Sequence, residues 1–151
     1  RFDPLEQARH YVRVLQENQT SAPTLPPCID LETAGLTKAA LNQAVKFFLT
    51  EVKTLTGRRG ILYVSPGFWS TYLPVPVMSG YKLSGGDVDW AGVHPLWVAH
   101  YTSGWPYQVY PWAGWRFWQY SSMGKISGVV TKVDLNLFNG SEADLTALGA
   151  A

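Results

Sequence analysis

Apolar residues recur every three or four positions in two stretches of the first third of the chain, which predicts two amphipathic helices. The first is predicted over residues 4 to 18, with Asp3 as its N-cap and Pro4 as its first helical residue. Its apolar positions are Leu5, Ala8, Val12 and Leu15. Thr37 is predicted to cap the second helix and Gly57 to end it. The apolar face of that helix consists of Leu41, Val45, Phe48, Val52 and Leu55.

Short apolar runs bounded by Pro and Gly predict β-strands farther along the chain. These runs cover residues 28–32, 60–64, 96–101, 115–121 and 133–138. Pro66 to Leu73 predicts a brief helical turn, and a long loop rich in Pro and Gly follows it. Ser141 with Asp144 predicts the start of a short last helix. Strands that alternate with helices at short intervals are typical of βα units, so we expect a mostly parallel sheet or barrel.

Two acidic residues interrupt the first apolar strand. Asp30 and Glu32 are two positions apart, so they lie on one face of a strand, separated by about 6.6 Å at about 3.3 Å per residue. A carboxylate after a strand often caps the next helix, but Thr37 is better placed for that role. Two acids facing an apolar interior are costly unless they are paired or functional. The pair is therefore a candidate catalytic site.

A third acid, Asp134, lies in the last predicted strand. It is a candidate for the same site because functional groups of βα folds gather at the carboxyl ends of the strands. Alternatively, its carboxylate holds a turn or accepts a hydrogen bond from a neighbouring backbone N–H.

The predicted strands also carry many aromatic side chains. Those within strands, Tyr63, Trp97, Tyr101, Trp118 and Tyr120, could simply fill a core, which is the common fate of strand aromatics. The segment 105–118 carries further aromatic residues, more than one core needs. They are Trp105, Tyr107, Tyr110, Trp112, Trp115 and Trp118. Rings on which sugars stack would explain that excess.

Composition excludes several classes of function. With 151 residues, 46% of them hydrophobic and 14% aromatic, the chain is long and apolar enough to fold as one domain. A net charge of +1 and the absence of a dense basic cluster argue against nucleic acid and acidic membranes as partners. Cys28 is the only cysteine, which excludes an internal disulfide. His94 and His100 are not at metal-ligand spacing, so both are interpreted as structural or surface residues.

Five segments in series carry a resemblance to a known family. They read PPCIDLE, GILYVSPGFW, PLWVAHY, WRFWQYSS and GVVTKVDLNLF, and their order and approximate spacing resemble the family 25 glycoside hydrolases, the lysozymes of Chalaropsis type. The resemblance runs from about Asp3 to Phe138. It implies an α/β fold, a TIM-like (β/α)5(β)3 barrel whose last three strands are not separated by regular helices. It also implies hydrolysis of the β-1,4 bond between N-acetylmuramic acid and N-acetylglucosamine in bacterial peptidoglycan, with no metal or organic cofactor.

The resemblance also implies roles for individual residues. Glu32 corresponds to the catalytic acid and base, Asp30 to its partner carboxylate, and Asp134 to the acid of the last strand. Side chains that match positions lining the groove of the family are Tyr63, Trp97, Tyr101 and Gln119. The family favours a retaining mechanism in which the 2-acetamido group of the substrate is the nucleophile.

The chain lacks the first strands of the family and the aspartate that they carry. Residues 1 to 151 are therefore expected to be a partial catalytic domain with about five of the eight strands, whose barrel cannot close alone. The N-terminal part is expected to exist as a separate or omitted segment, because open sheet edges are prone to aggregation. We also expect the protein to act on the cell wall, as a secreted or phage-encoded enzyme. A non-catalytic module that binds cell-wall glycans is the alternative.

Overall fold

The helices of the computed structural model begin and end at capping residues, which satisfy the free backbone groups of the helix termini. Asp3 Oδ1 accepts a hydrogen bond from the N–H of Leu5 at 2.9 Å. Thr37 Oγ1 accepts from the N–H of Ala40 at 3.3 Å. Gly57 adopts the left-handed conformation, with φ of 75°, and its N–H donates to the carbonyl of Lys53. All three residues are the predicted caps, and each prediction is confirmed.

The structure describes residues 3–18, 25–79, 82–84 and 87–150. The four α-helices are α1 (Pro4–Asn18), α2 (Lys38–Thr56), α3 (Pro66–Tyr72) and α4 (Glu142–Ala150). The strands are β1 (Cys28–Asp30), β2 (Ile61–Val64), β3 (Val77–Ser79), β4 (Lys82–Ser84), β5 (Leu96–Ala99), β6 (Phe117–Gly124) and β7 (Val133–Phe138). A 3₁₀ helix covers Asp89–Val93.

Five of these strands form one mixed sheet in the order β1-β2-β5-β6-β7. The first three pairings are parallel, and β6 pairs with β7 in antiparallel orientation. In this register Asp30 lies beside Tyr63, Tyr63 beside Trp97, and Trp97 beside Phe117. Within the described residues the sheet is open, with β1 and β7 at its edges. The mostly parallel α/β sheet is thus confirmed, whereas a closed barrel is not observed.

The two faces of the sheet differ in chemistry because side chains alternate along each strand. On one face, β2 and β5 pack against α2 and α3 through a core that includes Leu62, Val64 and Val98, all fully buried. The helix α1 packs on α2 through Ala8 and Val12. We call this side the helical face. The opposite face carries the predicted site residues, and we call it the site face.

The outer edge of β1 is partly covered. The hydroxyl of Tyr11 on α1 accepts a hydrogen bond from the N–H of Cys28 at 3.1 Å and donates to its carbonyl at 2.9 Å. One side chain therefore satisfies both backbone groups that an added strand would otherwise use at this position.

Several predicted boundaries were wrong. The first strand ends at Asp30, so Glu32 lies just beyond it. The predicted loop after α3 contains the hairpin of β3 and β4 and the 3₁₀ helix. The predicted apolar face of α2 was also wrong at one position. Leu55 was assigned to that face, but it is 42% exposed because it lines an open cavity between α1 and α2. Leu49, which was not assigned to it, is buried.

Gly124 ends β6 beside β7, and we expect its substitution to be destabilising. A Cβ atom there would lie 2.8 Å from the carbonyl oxygen of Val133, and that backbone cannot move without disturbing the strand pair. Gly124→Ala should lower the free energy of unfolding by about 1–3 kcal/mol, as measured by urea denaturation. Gly114→Ala is the control, because a Cβ at Gly114 meets nothing within 4 Å. Equal stabilities of the two variants would contradict the prediction.

His94 should make the fold sensitive to acid. Its ring is buried, and Nδ1 hydrogen-bonds the carbonyl of Gly60 at 3.0 Å. Burial, with the charges of Arg59 and Lys53, lowers the pKa of His94 below its ordinary value. Below about pH 6.5 the unfolded chain then binds a proton that the folded chain excludes, so stability is lost as the pH falls towards the folded pKa. Above that pH His94 makes no such contribution.

The corresponding measurement is the urea midpoint between pH 7 and pH 5. His94→Gln should lose less stability over this range than the parent, and His10→Gln on the exposed side of α1 is the control. An unchanged pH dependence in His94→Gln would contradict the assignment.

Candidate active site

Asp30, at the end of β1, and Glu32, just beyond it, project from the same side of the sheet. Leu31, between them, is buried on the helical face, and its N–H donates to the carbonyl of Tyr63 at 3.0 Å. Because Leu31 is fixed in this way, Asp30 and Glu32 project from the site face, where both are exposed. Neither carboxylate forms a hydrogen bond or ion pair with another described residue, and Thr37 caps the next helix. Capping therefore does not explain the pair.

Two tyrosine hydroxyl groups meet at Gln119 on β6. The hydroxyl of Tyr63 donates to Gln119 Oε1 at 2.9 Å, and the hydroxyl of Tyr101 donates to the same oxygen at 2.8 Å. Gln119 is only 5% exposed, so it is held in one position by two donors. This arrangement fixes both phenol groups relative to the strands.

Trp97 continues this row across the sheet. Its ring meets the ring of Tyr63 edge to face with centroids 5.7 Å apart. Its indole N–H donates to Asn136 Oδ1 on β7 at 2.9 Å. Asn136 pairs with Gln119 and is two positions from Asp134, so alternation places Asp134 on the site face as well.

All three predicted acids affect the pKa of Tyr63. Burial raises the pKa of Tyr63 above its usual value, and the negative charges of Glu32, Asp30 and Asp134 raise that pKa further. Asp30 is exposed, but partial loss of its hydration beside the sheet also raises its pKa. Three carboxylates from the two opposite edges of the sheet therefore influence one phenol on β2.

A cavity of about 600 Å³ opens beside this cluster. Of the predicted site residues, Glu32, Tyr63 and Tyr101 line it, whereas Asp30, Trp97, Gln119 and Asp134 do not. The other lining residues are Ser65, Pro66, Gly67, Ser70, Ala99, His100 and Tyr107. A second cavity of about 630 Å³, the one between α1 and α2, has no carboxylate in its lining. The cavity at Glu32 is therefore the candidate active site.

Comparison with known proteins identifies the family. The model of glycosyl hydrolases family 25 matches residues 2–129, well over half of the chain. The chain belongs to glycosyl hydrolase family 25. Asp134 lies beyond the matched residues, so the family match does not extend to it.

Related proteins agree with this family 25 assignment. Lysozyme M1 of Streptomyces globisporus is 32% identical over 132 residues, which cover 83% of this chain and 41% of that protein. The uncharacterised YegX of Escherichia coli K12 is 33% identical over 151 residues, which cover 97% of this chain and 48% of YegX. The family 25 chain thus spans less than half the length of these curated relatives.

A solved structure supports the same fold. The spore cortex lytic enzyme SleM of Clostridium perfringens superposes with a TM-score of 0.78 at 30% identity, over 93% of this chain and 46% of that chain.

The sequence did not single out several residues of the candidate site. Ser65, His100 and Tyr107 line the cavity, and Asn136 binds Trp97. Tyr107 belongs to the aromatic excess that the sequence displayed, and Asn136 follows Asp134 at strand spacing. His100, interpreted as structural or surface, is both: Nδ1 accepts from the N–H of Tyr107 at 3.2 Å, and the ring lines the cavity.

The described residues of the family 25 chain give little support for metal binding, for catalysis by a thiol or for a membrane-spanning helix. Among the described residues, no group of three or more His, Cys, Asp or Glu side chains is arranged to hold a metal ion. Burial raises the pKa of Cys28 to about 12, so this thiol stays protonated and is a poor nucleophile. None of the described helices is long and apolar enough to cross a membrane.

We expect Gln119 to stabilise the fold through both phenols. Gln119→Leu should lower the free energy of unfolding by about 1–3 kcal/mol, because two hydroxyl groups lose their acceptor. The double variant Tyr63→Phe/Gln119→Leu should be less destabilised than the sum of the single variants, since both remove the same hydrogen bond. Additive effects in urea denaturation would show that the bond does not couple these residues.

Proposed function

We propose that this family 25 chain carries the acid–base centre of an N-acetylmuramidase that cleaves β-1,4 bonds in bacterial peptidoglycan. The observation that carries the proposal is the placement of Glu32, Asp30 and Asp134 on the site face of one sheet, with Glu32 lining a cavity on that sheet. Hydrolysis of a glycosidic bond needs a carboxyl group that protonates the leaving oxygen, and neighbouring carboxylates stabilise the positive charge that develops on the sugar. The related lysozyme M1 and SleM support this class of substrate.

Glu32 is the proposed general acid and base, because it alone of the three acids lines the cavity. In the first step Glu32 protonates the leaving glycosidic oxygen while the acetamido oxygen of the substrate attacks the anomeric carbon, and the C–O bond breaks. In the second step the Glu32 carboxylate takes a proton from water, and that water opens the oxazolinium-like intermediate. The configuration at the anomeric carbon is retained.

Asp30 and Asp134 have electrostatic and positioning roles in this proposal. Asp30 orients the acetamido group and offsets the positive charge that develops on the intermediate. Asp134 positions the sugar or the other two acids from the opposite edge of the sheet. Tyr63, Tyr101 and Trp97 then form the groove, with Gln119 holding the two phenols in place.

The complete enzyme is proposed to be a closed (β/α)5(β)3 barrel. In that barrel further strands pair with β7 and with β1 beyond the position that Tyr11 covers, and the three acids face a common interior. The enzyme acts on the cell wall after secretion or phage release.

The test is digestion of purified peptidoglycan, followed by borohydride reduction and mass spectrometry of the released fragments. Glu32→Gln should reduce the release of fragments with reduced muramic acid ends at least about 100-fold, because it removes the general acid. Glu17→Gln, an exposed position on α1, is the matched control. The assay is run on this chain and on a form extended at its N-terminus by the first strands of the family.

Two results of this assay would contradict the proposal. Undiminished hydrolysis by Glu32→Gln would show that Glu32 is misassigned. Binding of peptidoglycan without hydrolysis, by both chain lengths and by all variants, would favour a glycan-binding module instead of an enzyme.

A further inference from the structure

The helical face of the sheet is covered at β5 and β6 by a loop instead of a helix. Residues 100–116 connect these strands, and Trp118 on β6 points into this side of the sheet, where it joins the core that contains Val98. Gln119, the next residue, points to the site face, where it bonds Tyr63. Tyr120, two positions after Trp118, projects from the same face, and Trp105 and Trp115 contact Trp118 from the loop.

Four rings contact one another on this side, and we call them the indole platform: Trp105, Trp115, Trp118 and Tyr120. Trp105 stacks on Trp115 with centroids 6.1 Å apart and planes 29° apart. Trp118 lies 5.9 Å from both indoles and 5.8 Å from Tyr120. The platform is thus one continuous aromatic surface anchored in the core.

Exposure within the platform is uneven. Trp118 is 8% exposed, whereas Trp105 is 75% exposed although two other indoles support it. The tryptophans that fill the core, Trp69 and Trp112, are 1% and 4% exposed. Filling the core therefore does not explain Trp105, whose ring is held against two other indoles and leaves one face open to a ligand.

The chemistry of the platform selects a class of ligand. None of its four side chains is charged, so it has no means of neutralising phosphate and does not fit nucleic acid. A supported indole with an open face matches the apolar C–H face of a pyranose ring. An added β-strand is a poor candidate, because β5 and β6 are inner strands and the open edges of the sheet are β1 and β7.

The platform and the cavity meet at one residue. The indole N–H of Trp118 donates to the carbonyl oxygen of His100 at 2.7 Å, and the ring of His100 lines the cavity. We propose that the indole platform is a second carbohydrate-binding site, which holds a sugar unit of a peptidoglycan glycan strand outside the cavity. The choice of peptidoglycan as ligand rests on the proposed function.

The test is co-sedimentation with insoluble peptidoglycan in the Glu32→Gln background, so that hydrolysis does not remove the ligand. Trp105→Ala should weaken binding about tenfold, which is the order expected for loss of one aromatic contact. Trp105→Tyr should restore most of it. The control is Met123→Ala, which removes a side chain that is 65% exposed and outside the platform and should leave binding unchanged.

Failure of this proposal is distinct from failure of the proposed function, because the assay measures binding alone. The proposal is overturned if Trp105→Ala binds like Met123→Ala, or if the parent does not bind peptidoglycan at all. Sedimentation velocity provides a second readout. Loss of a dimer in Trp105→Ala, with glycan binding intact, would show that the platform contacts another copy of the chain and would also overturn the proposal.

Discussion

The candidate site depends on the register of the parallel strands. Asp30, Tyr63 and Trp97 lie side by side because β1, β2 and β5 pair in parallel at these positions. A shift of one residue in any pairing would turn the side chains of that strand to the helical face. The buried residues of the alternate positions, including Leu62, Val64 and Val98, oppose such a shift because they would then leave the core. Burial on one face thus determines the chemistry of the other.

The loop after β5 shows how a segment without regular structure can replace a packing helix. Three buried or nearly buried indoles, on α3, in the loop and on β6, donate to backbone carbonyl groups in or beside it. Trp69 donates to Tyr110 at 2.6 Å, Trp112 to His94 at 2.8 Å, and Trp118 to His100 at 2.7 Å. Each indole fills space and also satisfies a carbonyl that a helix would satisfy internally. Within the loop itself, Trp112 is buried and Trp115 packs against the core, whereas Trp105 is exposed and has no such structural role.

Local signals made part of this fold predictable from the sequence. The caps at Asp3, Thr37 and Gly57 act within a few residues, and the structure confirms all three. Ser141 and Asp144 likewise exchange hydrogen bonds at the start of α4, as their spacing predicted. The hairpin of β3 and β4 was missed because its short strands lie within a stretch rich in Pro and Gly, which predicts a loop.

The site was harder to predict than the fold because its members come from distant positions. Strand spacing placed Asp30 and Glu32 together, but only the strand order β1-β2-β5-β6-β7 reveals that Asp134 approaches from the far edge. Glu32 lines the cavity and Asp30 does not, although the two residues are only two positions apart. Alternation along the chain thus puts both acids on the site face but leaves only Glu32 beside the cavity. Both acids, with Asp134, still contribute to the electrostatic surroundings of Tyr63, whose hydroxyl Gln119 holds in place.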